Sequence, residues 1–267
     1  MIPVLLHKEG WLVQSRSFSE YKKLGNAKKA VQRLSQWDAD ELIYLDISKN
    51  RSYPPDRNDT AAPRYDDLED LILEVSKVAR MPITFGGGIT TLNDIETRLR
   101  LGADKVSINR EAKLNPKLIA QASKEFGRQC IVVSVDYEEF GSERRIHGEP
   151  IQDFDSSRLA DWLLELEHLG AGEILLNSVS RDGMKSGYDI DFLAHISALL
   201  GTPIIACGGA GSWDHMAKVL SETNIDAVAA ANIFHFQDQS VYLARMHLHN
   251  LGLQVRPPSL QKKTHVH

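Results

Sequence analysis

FGGGIT (85–90) and CGGAGS (207–212) decide how this chain folds. Each follows a short apolar run and precedes an amphipathic helical pattern, so each reads as a strand-to-helix turn. Such a turn offers backbone N–H groups at a helix N-terminus, where the helix dipole favours an anion. One turn says little. Two at equivalent places in a duplicated chain predict a ligand with a phosphate at each end. Beyond each lies a second small strand end, KVSIN (105–109) and AVAAAN (227–232).

The duplication can be traced by position. Gly87 and Gly209 lie 122 residues apart, as do Asp104 and Asp226. Upstream, DELIYLDIS (40–48) matches AGEILLNSV (171–179), and IPVLLHKEG (2–10) matches IVVSVDYEE (131–139). Asp46 then pairs with Asn177 at 131 and Leu6 with Asp136 at 130. An extra stretch in the first half, RSYPPDRNDTAAP (51–63), accounts for the fall in offset. Each half reads as four β–α units, far longer than a short solenoid period.

Apolar, β-branched runs at 2–6, 42–47, 82–86, 105–108, 131–136, 173–177, 203–207 and 226–230 predict strands. Helical patterns fall near 26–37, 66–79, 92–101, 115–125, 156–169, 189–200, 213–222 and 237–250. Near-continuous apolar strands indicate a parallel sheet buried on both faces. Eight such units with a two-fold repeat predict an α/β protein, a (β/α)8 barrel rather than an open doubly wound sheet. The barrel is expected over 1–255 as one domain, with halves of about 1–125 and 126–255 and chemistry at the C-terminal strand ends. Residues 256–267 are read as a frayed tail.

Composition excludes several classes. The 267 residues carry a net charge of −5, with 42% hydrophobic and 25% charged residues. That is ordinary globular composition with no basic footprint for nucleic acid. No apolar run reaches membrane length, and MIPVLLHKEG lacks a basic leader and cleavage site, which predicts a cytoplasmic protein. Cys130 and Cys207, read as heading apolar strands, are expected to be reduced core thiols. The histidines are scattered with no two at ligand spacing beside carboxylates, so neither metal nor cofactor is expected.

Among strand-end residues, Asp136 is placed in the barrel mouth as a catalytic candidate. Asp46 either contacts ligand or ammonia, or caps the following helix. Asp182, between an arginine and a glycine, suits a loop folded over a phosphate. Ser107 and Ser134 read as layer-filling residues, and Trp37 and Trp162 as packing on the barrel exterior. Glu41, Lys105 and Glu173 begin alternate strands and should ring the N-terminal mouth, as solvated charges or as a functional set.

The motifs DELIYLDI, FGGGI, GADKVSIN, GAGEILLNSVSRDGMKSGYD and IIACGGAG resemble the cyclase subunit family of imidazole glycerol phosphate synthase, over about residues 2–255. The resemblance implies an ammonia-accepting barrel with a class I glutaminase docked on its N-terminal face and a phosphoribosyl-containing substrate at the other. It implies one phosphate site at Gly87, Gly88 and Asn109, and a second at Asp182, Gly183, Gly209, Gly211 and Asn232. Glu41, Lys105 and Glu173 would form the ammonia gate. The family's fourth gate member, an arginine before the first strand, has no counterpart.

The chain departs from that family at a decisive place. The cyclase uses two aspartates, one ending the first strand and one ending the fifth. The fifth survives as Asp136, but the first position is Leu6, and a family basic residue is replaced by Gln14. Leucine carries no titratable proton, and alternation turns the adjacent His7 to the other face. IPVLL and CGGAG instead resemble paralogues from surface-polysaccharide gene clusters. That resemblance implies amidation of a phosphorylated or nucleotide-linked sugar, together with a third, sugar-amidating protein. The alternatives are a histidine-pathway cyclase with a relocated acid (His7 or Asp46) and a non-catalytic ammonia conduit or phosphosugar-binding scaffold. Valine at Gly87 or Gly209 is expected to abolish phosphosugar binding without unfolding the barrel.

Overall fold

Parallel strands β1 (Ile2–Lys8), β4 (Leu42–Asp46), β5 (Ile83–Gly86), β6 (Lys105–Ile108), β7 (Ile131–Phe140), β9 (Glu173–Ser178), β10 (Ile204–Cys207) and β11 (Ala227–Ala230) pair in that order. β11 returns to β1 through Ile2↔Ala229 and Pro3↔Ala230, closing the (β/α)8 barrel expected from the sequence. The computed structural model describes residues 1–49, 53, 65, 67–148, 157–235 and 238–259. Nearly all of the first-half insertion at 51–63 lies outside them, as do the tail residues 260–267.

Helices α1 (Ala27–Gln36), α2 (Leu68–Ser76), α3 (Leu92–Arg100), α4 (Arg110–Leu114), α5 (Lys117–Phe126), α6 (Ser157–His168), α7 (Ile190–Leu199), α8 (Trp213–Glu222) and α9 (Ser240–Asn250) cover the barrel. Asparagine, threonine and serine caps start α1, α3 and α8, with Asn26, Thr91 and Ser212 accepting from N–H groups in the first turn. Among the described residues no helix is long and apolar enough to cross a membrane.

Alternation along the strands separates two apolar layers. Ile2, Val4, Ile43, Val132, Leu175, Ile205 and Ala229 fill the barrel interior, with Leu6 and Leu45 packed against them. The intervening residues, such as Leu5, Tyr44, Phe85, Val133 and Tyr137, join the helices in the outer layer. Trp37 is buried in that layer and Trp162 packs against it. The repeat reappears as paired hydrogen bonds. Ile83 N–H donates to Asp104 at 2.8 Å, and Ile204 N–H donates to Asp226 at 2.9 Å.

Three strands were not expected. β2 (Trp11–Arg16) and β3 (Glu20–Gly25) form a hairpin on β1, and β8 (Glu143–Ile146) folds back on β7. β3 is exposed and almost wholly polar, so it carries no apolar alternation to read. Of the segment read as a frayed tail, the described residues 256–259 are tied to the barrel. Arg256 pairs with Asp38 at 2.9 Å and Asp40 at 3.0 Å, and Ser259 donates to Asp38 at 2.6 Å.

Those aspartates also hold Arg245, a fully buried guanidinium 2.6 Å from Asp38 and 2.9 Å from Asp40. Removing one partner of a buried ion pair strands the other charge. Arg245→Met should therefore cost about 3 kcal/mol in chemical denaturation. Arg256→Ala, whose side chain is half exposed, should cost under ~1 kcal/mol.

Candidate active site

The inward row of side chains ends, at the C-terminal rim, in one cavity of about 870 Å³. Asp46, Gly87, Gly88, Asn109, Asp136 and Asp182 all line it, so six of the residues singled out in the sequence converge. Leu6 lines it too, facing inward where the resembling family has an aspartate. His7 faces outward, fully buried, its Nδ1 3.0 Å from the Tyr44 hydroxyl. It does not line the cavity.

Asp136 sits at the centre of the polar wall. Its Oδ2 accepts from Asn109 at 2.8 Å and its Oδ1 accepts from Asn177 at 3.0 Å. Burial pushes its carboxyl above the ordinary range, and the two amides partly offset the rise by bonding the charged form. Asn177 escaped the sequence reading, although the repeat marks it as the partner of Asp46. Asn109, read as a phosphate ligand, has its side chain committed to Asp136.

Asp46 belongs by alternation to the outward row, yet it lines the cavity. It accepts from Ser48 N–H at 2.9 Å, from Ser48 Oγ at 2.5 Å and from the Tyr53 hydroxyl at 3.1 Å. Burial raises its pKa, and these bonds oppose the rise. Among the described residues the next helix is α2, and its cap is Asp67 rather than Asp46. Asp182, also raised by burial, accepts from Ser15 Oγ at 2.8 Å, which fastens the β2–β3 hairpin to the loop after β9. The hairpin turn thereby brings Phe18 and Tyr21 to the cavity wall.

The glycine turns are built for close backbone approach. A Cβ on Gly87 would lie 1.8 Å from the Asp46 carbonyl oxygen, and one on Gly209 would lie 2.0 Å from that of Gly187. Valine at either position would break the barrel rim, contrary to the expectation of a folded variant. The helices start where the sequence pattern put them, at Leu92 and Trp213, so the glycine N–H groups precede the first helical turns. Behind the first turn the buried Arg98 donates to the Gly87 carbonyl at 2.7 Å. A trans peptide then points the Gly88 N–H away from that guanidinium. Arg98 was missed, and the signal was a cation on the buried face of α3 beside Ile95.

Around the second turn, Gly183, Gly209, Gly211 and Asn232 do not line the cavity, although Cys207 and Ala231 beside them do. Asn232 Nδ2 donates to the Ser15 carbonyl at 2.9 Å, and a Cβ on Gly211 would meet Lys185. Cys207 ends β10 rather than heading it; both cysteines are unbridged. Burial pushes the Cys207 thiol up to about 12, which makes it a poor nucleophile.

At the opposite mouth, Lys105 Nζ lies 2.9 Å from Glu41 and 2.5 Å from Glu173. Burial disfavours the ammonium, but the bonds to Glu173 and Glu41 outweigh it and raise the lysine pKa.

Comparison with known proteins agrees with this geometry. The family model described as "Histidine biosynthesis protein" matches residues 1–240. "Imidazole glycerol phosphate synthase subunit HisF" of Flavobacterium psychrophilum is 39% identical over 259 residues, covering 96% of this chain and 98% of the relative. The protein of that name from Staphylococcus saprophyticus is 36% identical, with 96% and 98% covered. "Putative imidazole glycerol phosphate synthase subunit hisF2" of Vibrio vulnificus is 37% identical, with 98% and 92% covered. By its fold, its rim and these relatives, the chain belongs to the histidine biosynthesis protein family of HisF-like barrels.

Proposed function

We propose that this protein is the ammonia-accepting barrel subunit of an imidazole glycerol phosphate synthase-type complex. Ammonia would enter from a class I glutaminase at the Glu41–Lys105–Glu173 mouth and travel along the apolar interior. It would be added to a phosphate-containing substrate beside Asp136. The observation that carries this reading is Asp136 itself: an inward carboxylate, raised by burial, held between Asn109 and Asn177 at the end of the axis that starts at Lys105.

The names of the relatives favour the cyclase of histidine biosynthesis over sugar amidation in polysaccharide synthesis, the reading favoured by the sequence alone. In the cyclase reading Asp136 serves as the acid–base group, with Asp46 as the second carboxylate on the cavity wall. The phosphate ends would rest on the Gly87–Gly88 turn and on the loops around Asp182, Gly183, Gly209, Gly211 and Asn232. Sugar amidation with a third protein stays in view through one observation, the inward Leu6, which removes one of the two proton-handling groups.

Turnover of the histidine-pathway substrate with ammonium salts, and growth of a cyclase-deficient histidine auxotroph, separate the two. Growth is expected, and Asp136→Asn should lower kcat by roughly 10²–10⁴-fold. No growth by the unaltered protein, with activity appearing in Leu6→Asp, would transfer the assignment to sugar amidation.

Gly88 tests the first phosphate cradle. Its φ is +65° and the nearest atom to an added Cβ is an Arg98 nitrogen at 4.0 Å. Gly88→Ala should therefore fold at a cost of about 1–2 kcal/mol of left-handed strain while weakening phosphate-ligand binding in calorimetry. Unchanged affinity would remove the cradle.

Lys105→Glu tests the mouth by placing three carboxylates together. Glutamine-dependent turnover should fall at least about tenfold, the equivalent of ~1.4 kcal/mol, while ammonium-dependent turnover persists. Equal coupling in that variant would reduce the ring to surface charge.

A further inference from the structure

The β7–β8 hairpin carries a polar group that the reading above does not use. Side chains alternate, so Asp136 and Glu138 on β7 share one face. Glu138 is registered with Arg145, and His147 N–H donates to the Asp136 carbonyl at 2.8 Å, one step further along the same ladder. Residues opposite each other on an antiparallel pair project to the same side. The hairpin thus presents Asp136, Glu138, Arg145 and His147 on one face.

That face is wired. Glu138 accepts from Arg145 at 2.6 Å, and its other oxygen lies 2.5 Å from His147 Nδ1. Burial alone would raise the Glu138 carboxyl, but the bonds from His147 and Arg145 hold it below the usual range, so it stays an acceptor. A carboxylate on one ring nitrogen fixes the imidazole's orientation and leaves the other nitrogen to exchange protons. Behind Asp136 lies a second cavity, of about 50 Å³, lined by Asp136, Asn109, Ser134, Lys113, His147 and Trp162. A water needs roughly 10–15 Å³ by that measure, and polar groups on the wall give it partners. The His147 side chain is 39% exposed, so the same ring reaches bulk solvent.

We propose that His147, oriented by Glu138, is a proton relay that reprotonates Asp136 from solvent through this second cavity. The inference rests on Asp136 acting as the acid–base group. In each cycle the Asp136 carboxyl gives its proton to the substrate. The imidazolium returns one through a bridging water, and solvent recharges the imidazole, so protons balance without another reactant. Lys113 of α4, 3.3 Å from the His147 carbonyl, and Arg145 set the charge around the ring, and Phe18 packs against its face edge-on. The relay gives the barrel a second proton-handling group although position 6 is leucine.

The test uses the full chain with ammonium salts. His147→Ala should lose roughly 10²-fold in kcat with KM little changed. Free imidazole should restore part of that loss. His147→Gln, which keeps a polar side chain beside Glu138 but cannot carry the proton, should show the same loss. Undiminished kcat in either variant, or a loss that imidazole does not relieve, overturns the relay while leaving the cyclase reading intact. Absence of turnover by the unaltered protein strikes the cyclase reading instead. In that case the relay is read by NMR: the Asp136 carboxyl resonance should follow titration of the His147 ring and cease to do so in His147→Ala. An Asp136 resonance indifferent to that ring overturns it.

Discussion

Closure of the parallel sheet is the constraint on which the rest depends. Once β11 pairs with β1, each strand has one row of side chains facing the axis and one facing the helices. A residue's parity along its strand therefore decides its surroundings. The same row that starts with Lys105 continues through Ser107 to Asn109, and the row that starts with Glu173 continues through Leu175 to Asn177. Charge at one mouth and amide at the other are thus fixed to a common axis. Leu6 and His7, adjacent in sequence, differ in environment for the same reason: one lines the cavity and the other hydrogen-bonds Tyr44 in the outer layer.

The rim shows how buried polar groups are kept tolerable. An unpartnered carboxylate in such a place would be costly. Asp136 has two amide donors, Asp46 has Ser48 and Tyr53, and Asp182 has Ser15. For Asp136 and Asp182 the partners come from other β–α units, so the site and the fold are stabilised by the same bonds, whereas those of Asp46 lie in the loop that follows its own strand. Arg98 plays the matching part for a carbonyl, anchoring the turn at Gly87 from behind. Rigid donors of this kind hold a carboxylate in one orientation, which is what proton transfer across a fixed distance requires.

Much of the architecture was legible because period and repeat speak directly. The eight apolar runs lie within two residues of the barrel strands at their starts, and the two glycine turns fall where β5 and β10 end. The convergence of Asp46, Asn109, Asp136 and Asp182 followed from strand polarity alone. What escaped depends on contacts between segments distant in sequence. β3 has no apolar face to betray it, and the Asp182–Ser15 bond that seats the hairpin spans 167 positions. The part played by the buried Arg98 depends on the turn it supports, eleven positions away across the strand-to-helix connection. Asp46 shows a second kind of gap: strand position put it at the cavity, where it lies, but its outward parity and its bond to Ser48 N–H, which also close a local turn, were not foreseen.

The seam between β1 and β11 has a kinetic meaning. It joins Ile2 to Ala229 and Pro3 to Ala230, the widest separation along the chain of any strand pair, and proline brings no N–H to the ladder. The other barrel pairings link strands that are neighbours in sequence and enclose shorter loops. Loop-closure entropy must be met before distant contacts repay it, so the sheet can grow outward from within while its two margins wait. On loop-closure grounds this pairing is the costliest in the barrel, and it is the one that turns an open, curved ribbon into a cylinder. Without that seam the interior row would face solvent along a slit, and both the mouth and the rim would lack the continuous wall on which an axial passage depends.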